Sequence, residues 1–105
     1  MEQFVMSFTS LERLSSSYSP RVCGVVSSGN LEVLVEGGET GDSCRIDVST
    51  PAEGFCDIWN AVLSDFVERQ PVGGLRVTIN DAGATPAVVS LRLDQAIDAF
   101  RSENP

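Results

Sequence analysis

Apolar and polar positions alternate with period two in three stretches of the chain. Leu31, Val33 and Val35 alternate with Glu32, Leu34 and Glu36. Cys44, Ile46 and Val48 alternate with Arg45 and Asp47, and Leu75, Val77 and Ile79 with Arg76, Thr78 and Asn80. Successive side chains of a strand point to opposite faces, so each run predicts a strand with one buried face. Upstream, Val22, Gly24 and Val26 predict a further strand from Arg21 to about Ser27, with those three inward. The residues joining it to Leu31 are small and polar, ending in Gly29-Asn30. Gly-Asn between two apolar runs is a hairpin signal, because both residues tolerate the positive φ of primed turns. Such a hairpin would carry Ser28 at its tip.

Elsewhere the spacing turns helical. Thr50-Pro51-Ala52-Glu53 has an N-cap residue, a proline at the first helical position and a glutamate that completes a capping box. Phe55, Ile58, Trp59, Val62, Leu63 and Phe66 follow as an apolar stripe, and Pro71 with Gly73-Gly74 ends the element. Asp81-Ala82-Gly83-Ala84 reads as a turn. Thr85-Pro86 repeats the cap-and-proline signal, and Val89, Leu93, Ala96, Ile97 and Phe100 mark a second helix ending near Arg101. The order β-β-β-α-β-α predicts one α+β domain over residues 21–105, with about four strands in an antiparallel or mixed sheet and both helices on one face. The opposite face would turn Glu32, Arg45, Asp47 and Arg76 to water. Residues 1–20 are rich in serine and read as a flexible N-terminal arm.

Charge and composition narrow the chemistry. The net charge of −8 repels nucleic acid and anionic lipid and favours basic protein surfaces. No stretch has the length of a membrane span, and the N-terminus lacks the basic and apolar regions of a secretory signal. Cys23, Cys44 and Cys56 are odd in number and have no CxxC spacing, which predicts reduced, largely buried thiols in a cytoplasmic protein. The chain contains no histidine, so it assembles neither a Ser-His-Asp triad nor a Cys-His pair, nor a histidine-containing zinc site. Gly37-Gly38-Glu39-Thr40-Gly41 lacks the spacing of a phosphate-binding loop. No metal site and no catalytic constellation is expected.

Two segments resemble the acyl carrier protein, or delta subunit, of malonate decarboxylase. They are Val25-Val26-Ser27-Ser28-Gly29-Asn30-Leu31-Glu32-Val33-Leu34 and the more specific Asp81-Ala82-Gly83-Ala84-Thr85-Pro86-Ala87-Val88-Val89-Ser90-Leu91-Arg92-Leu93-Asp94-Gln95-Ala96. The gamma chain of citrate lyase, also an acyl carrier protein, is a more distant likeness. The resemblance implies a non-catalytic carrier whose serine before the glycine holds 2'-(5''-triphosphoribosyl)-3'-dephospho-CoA through a phosphodiester. Carried over, Ser28 is the covalent attachment site, with Ser27 as the neighbouring alternative, while Gly29 and Asn30 shape the turn. The family commonly has aspartate where this chain has Asn30, which keeps the turn preference and drops the charge. Asp81, Gly83, Thr85 and Pro86 read as a structural turn and cap, with a partner-docking role as the alternative.

The implied partners are the acyltransferase and carboxy-lyase subunits of the decarboxylase complex and the holo-ACP synthase that transfers the prosthetic group. In the implied cycle the first exchanges acetate for malonate on the carrier thiol, and the second decarboxylates malonyl-thioester to acetyl-thioester. A carrier needs an exposed hydroxyl on a stiff base and no base of its own, which suits a chain without histidine. The rival readings are a carrier in a citrate lyase-like complex and an unmodified α+β interaction module.

Overall fold

The computed structural model describes residues 1–10 and 20–103. In chain order the elements are β1 (Glu2–Thr9), β2 (Arg21–Gly24), β3 (Leu31–Gly37), β4 (Ser43–Thr50), α1 (Cys56–Arg69), β5 (Leu75–Asp81) and α2 (Pro86–Glu103). The strands form one mixed sheet in the order β1-β4-β5-β3-β2. β4 and β5 run parallel because α1 carries the chain back between them, the connection that parallel neighbours require. The other three pairings are antiparallel.

Both helices cover one face of this sheet, as the stripes predict. Leu31, Val33, Val35, Ile46, Leu75, Val77 and Ile79 point from the strands into a core closed by Leu63, Phe66, Leu93, Ile97 and Phe100, all with no exposed surface. Burying each of the larger side chains stabilises the fold by about 1.5–3 kcal/mol. At the far end Arg69 ties α1 to α2, its Nη1 donating to both carboxylate oxygens of Asp94 at 2.8 Å. The sheet's other face is open and polar, with Arg45 paired to Asp47 and Arg76 to Glu39. Cys44 lies in the core, and burial, helped by the charge of Glu39, pushes its thiol up to about 12. Cys23 is half-buried, but Cys56 is exposed at the start of α1, so one of the three expected buried thiols is on the surface.

Three expectations are corrected. The sheet has five strands among the described residues and not four, because residues 2–9 of the expected arm form β1 along β4, from Glu2 opposite Thr50 to Thr9 opposite Ser43. Phe4, Met6 and Phe8 alternate and pack against the core while Val5 faces out, a period-two pattern that precedes the serine-rich part of the segment. Residues 11–19 of the same arm lie outside the described residues.

The first helix begins at Cys56, six residues after the expected cap. Thr50 is the last residue of β4 and directs its hydroxyl to Asp81, and Gly54 at φ +83° breaks the path between Thr50 and the helix. No capping box forms. Finally, β2 stops at Gly24 and the parity of its side chains is reversed. Cys23 pairs with Val33 on the core side, whereas Val22 pairs with Leu34 on the outer face and is 58% exposed. Gly24 at φ +85° ends the pleat, so Val26 never joins the strand.

Candidate functional site: a pinned serine loop

Between β2 and β3 the chain makes a six-residue loop, Val25 to Asn30, and not the two-residue primed turn that Gly-Asn suggests. Its apex is a β-turn over Ser27–Asn30, closed by the Asn30 amide donating to the Ser27 carbonyl at 2.9 Å. Gly29, third in that turn, has φ +76°, the position where a type II turn needs glycine. Asn30 has no positive φ; glycine alone takes the left-handed conformation here. Ser27, Ser28 and Gly29 are exposed, and a side chain built on Gly29 would meet nothing within 4 Å. A bulky group attached at this apex therefore has open space around it.

The second half of this turn is fixed. The Gly29 amide donates to the Ala82 carbonyl and the Ala82 amide to the Asn30 carbonyl, both at 2.9 Å, so the loop is laced to the turn between β5 and α2. That turn is itself anchored by Asp81, which is 8% exposed: its Oδ2 accepts from the Thr50 hydroxyl at 2.8 Å and its Oδ1 from the Ala84 amide at 2.9 Å. Thr85 then caps α2 by accepting from the Val88 amide at 3.3 Å. Asp81, Thr85 and Pro86 thus have the structural roles expected of them, and Gly83 at φ +91° bends the connection.

From α2, Arg92 reaches the same loop, 62 residues away in sequence, and its Nη2 donates to Asn30 Oδ1 at 3.1 Å. The same oxygen accepts from the Leu31 amide at 2.8 Å. At the root of the loop Gly24 leaves room for this contact. A Cβ there would lie 2.2 Å from the Leu31 carbonyl oxygen and 2.9 Å from Arg92 Cδ. Sequence reasoning missed Arg92; its one signal was a lone cation between Val89 and Leu93 on the buried stripe of α2.

Ser28, Gly29 and Asn30, the expected site residues, are brought together, and Ser27 lies beside them. Among the described residues no cluster of three histidine, cysteine, aspartate or glutamate side chains could hold a metal ion, and no helix is long and apolar enough to cross a membrane. Next to the loop's anchor, α1 and α2 flank a groove of about 230 Å³, lined by Phe55, Ile58, Trp59, Val62, Ala84 and Val89 among others.

An exposed serine loop on a small α+β scaffold offers a point to which a group can be attached and carried. Residues 19–100 match the family model described as malonate decarboxylase delta subunit, MdcD, and the chain belongs to that family. It is 51% identical over 90 residues to a malonate decarboxylase acyl carrier protein of Acinetobacter calcoaceticus, covering 86% of this chain and 88% of that one. A protein of the same name from Burkholderia cepacia is 58% identical over 84 residues, 80% of this chain and 77% of that one. The fold matches a chain in the crystal structure of a Pseudomonas malonate decarboxylase hetero-tetramer in complex with malonate, with TM-score 0.83, 32% identity, and 95% and 99% of the two chains covered.

Proposed function

We propose that this chain is the acyl carrier subunit of a biotin-independent malonate decarboxylase and works in the cytoplasm. On this reading 2'-(5''-triphosphoribosyl)-3'-dephospho-CoA is the donor, Ser28 keeps its phosphoribosyl-dephospho-CoA part through a phosphodiester, and the thiol at the end of that arm holds acetyl and malonyl groups. The observation that carries it is the exposed Ser28 in a β-turn whose next two residues, Gly29 and Asn30, are hydrogen-bonded to the β5–α2 turn. The open space above Gly29 is what so large a group requires. Ser28 rather than Ser27 is favoured because it is a central residue of the β-turn, whereas Ser27 opens the turn with its amide bonded to Val25 and its carbonyl to Asn30.

For loading, the Ser28 oxygen attacks the phosphorus nearest the ribose of the triphosphate. A phosphorus–oxygen bond forms, pyrophosphate leaves, and the serine proton passes to a base. This chain has no histidine, so that base belongs to the holo-ACP synthase. Loaded, the chain contributes a tether that raises the local concentration of the thioester at each partner's active site. The acyltransferase subunit exchanges acetate for malonate on the thiol. The carboxy-lyase subunits then release carbon dioxide, the thioester carbonyl taking up the charge that develops, with donors supplied by the lyase. The net charge of −8 speeds encounter with basic patches on these partners.

The test is intact mass after co-expression with the modifying enzymes. A covalent increment that maps to Ser28 and vanishes in Ser28→Ala is expected, with stability unchanged within about 0.5 kcal/mol because the residue is exposed. An increment that persists in Ser28→Ala moves the site to Ser27. No increment at all leaves the unmodified interaction module.

A further inference from the structure

Four of the arginines show how unusual Arg92 is. Arg45, Arg69 and Arg76 each face a carboxylate, at 3.1, 2.8 and 3.2 Å. Among the described residues Arg92 bonds only to amide oxygens, those of Asn30 and Gln95, and its buried Nε has no partner there. In a chain of net charge −8, a guanidinium kept away from carboxylates and directed at an uncharged loop is a costly arrangement. It is also a deliberate one sterically. Gly24 adopts φ +85°, and any side chain there would collide with the Leu31 carbonyl and the Arg92 stem.

The contact acts on the loop's closing residue. Asn30 ends the β-turn that presents Ser28, and its Oδ1 is held from two sides, by Arg92 and by the Leu31 amide. We infer that Arg92 is a positioning residue for modification: by clamping Asn30 across the bare backbone of Gly24, it holds the Ser27–Asn30 turn in the one conformation that the transferase accepts. This rests on the reading of Ser28 as the attachment site. A charge-assisted hydrogen bond fixes a loop more firmly than a neutral one. Without it the turn samples other conformations, and only the competent fraction binds the transferase. Such a loss raises the apparent KM in proportion while leaving kcat at saturation in place.

The experiment measures two properties of the full chain. In the unmodified protein, Arg92→Gln and Asn30→Ala are each expected to speed amide exchange at Asn30 and Leu31 about 10-fold, with the β3–β5 amides unchanged. In loading by the transferase, both variants raise KM for the carrier about 10-fold at constant kcat, and the double variant is no worse than either alone. Arg92→Lys recovers part of the loss, and Asn30→Asp, which makes the clamp an ion pair, loads at least as well as the parent. Unchanged KM in Arg92→Gln, additive effects in the double variant, or unaltered exchange at Asn30 and Leu31 overturns the inference. Amide exchange needs no loading, so the clamp can fail with Ser28 still modified. Conversely, loss of the mass increment in the parent chain refutes the attachment site whatever the exchange shows.

Discussion

Thr50-Pro51 and Thr85-Pro86 are the same dipeptide at two junctions between a strand and a helix, yet they do different work. Thr85 is a helix cap: its hydroxyl accepts from the Val88 amide, and its carbonyl accepts the Val89 amide at 2.9 Å. Thr50 finishes β4 opposite Glu2, donates to Asp81 Oδ2 and accepts from the Ala52 amide at 3.2 Å. The difference lies in what each junction meets. Near Thr50 stand two partners remote in sequence, the buried carboxylate of Asp81 and the first strand, whose Glu2 accepts from the Gly54 amide at 2.8 Å. A local capping preference of about 1 kcal/mol yields to a hydrogen bond onto a buried charge plus another strand pair.

The outcome shapes the surface. Because α1 starts late, at a Phe55 cap position with no side-chain hydrogen bond, Phe55 and Ile58 stay 47% and 46% exposed at the groove beside the β5–α2 turn. Both belonged to the stripe expected to be core. The same Thr50 bond braces Asp81, and through it the turn that laces the serine loop. Thr50→Val keeps the shape and β-preference of the residue and removes that bond, leaving a buried carboxylate oxygen without its donor. It is expected to lower stability by about 2–3 kcal/mol in urea unfolding. A cost no greater than that of uncapping α2 would erase the contrast between the two junctions.

How far the chain can be read before folding follows from the same contrast. β3, β4, β5 and α2 were legible because each has strict alternation or a clean stripe and its caps lie within a few residues. The serine loop was legible in its place, since Ser28-Gly29-Asn30 precedes a clear apolar run, but not in its shape, which is a six-residue loop and not a two-residue primed turn. β1 was not legible, because its partner lies some 40 residues downstream and the serines that follow it drew Phe4, Met6 and Phe8 into the reading of the whole segment as an arm. The parity of β2 was open as well. Val22/Gly24/Val26 and Arg21/Cys23/Val25 are both period-two sets, and only pairing with Val33 selects Cys23 for the core. Arg92 at Asn30 is a contact over 62 residues that no spacing rule reaches.

The cap at Thr85 gives the intermediate effect. Thr85→Ala removes one acceptor at the first turn of α2, which is otherwise held by the buried Val89, Leu93 and Phe100. The expected loss is about 1 kcal/mol, half or less of that at Thr50, seen as a lower urea midpoint with an unchanged m-value.

Glu53 sharpens the comparison most, because its effect should be smallest. In a capping box the glutamate reaches back to the cap residue's amide, and its removal costs part of the helix start. Here Glu53 is exposed and meets the N-terminal ammonium of Met1 at 3.4 Å, both groups well into solvent. Such a surface pair contributes little, so Glu53→Ala should stay within about 0.5 kcal/mol of the parent, with the small loss fading as salt is added. A loss near 1 kcal/mol that persists in high salt would mean that Thr50-Pro51-Ala52-Glu53 caps a helix in solution. The threonine hydroxyl would then be turned to Glu53 and away from Asp81, and the brace beneath the serine loop would be missing.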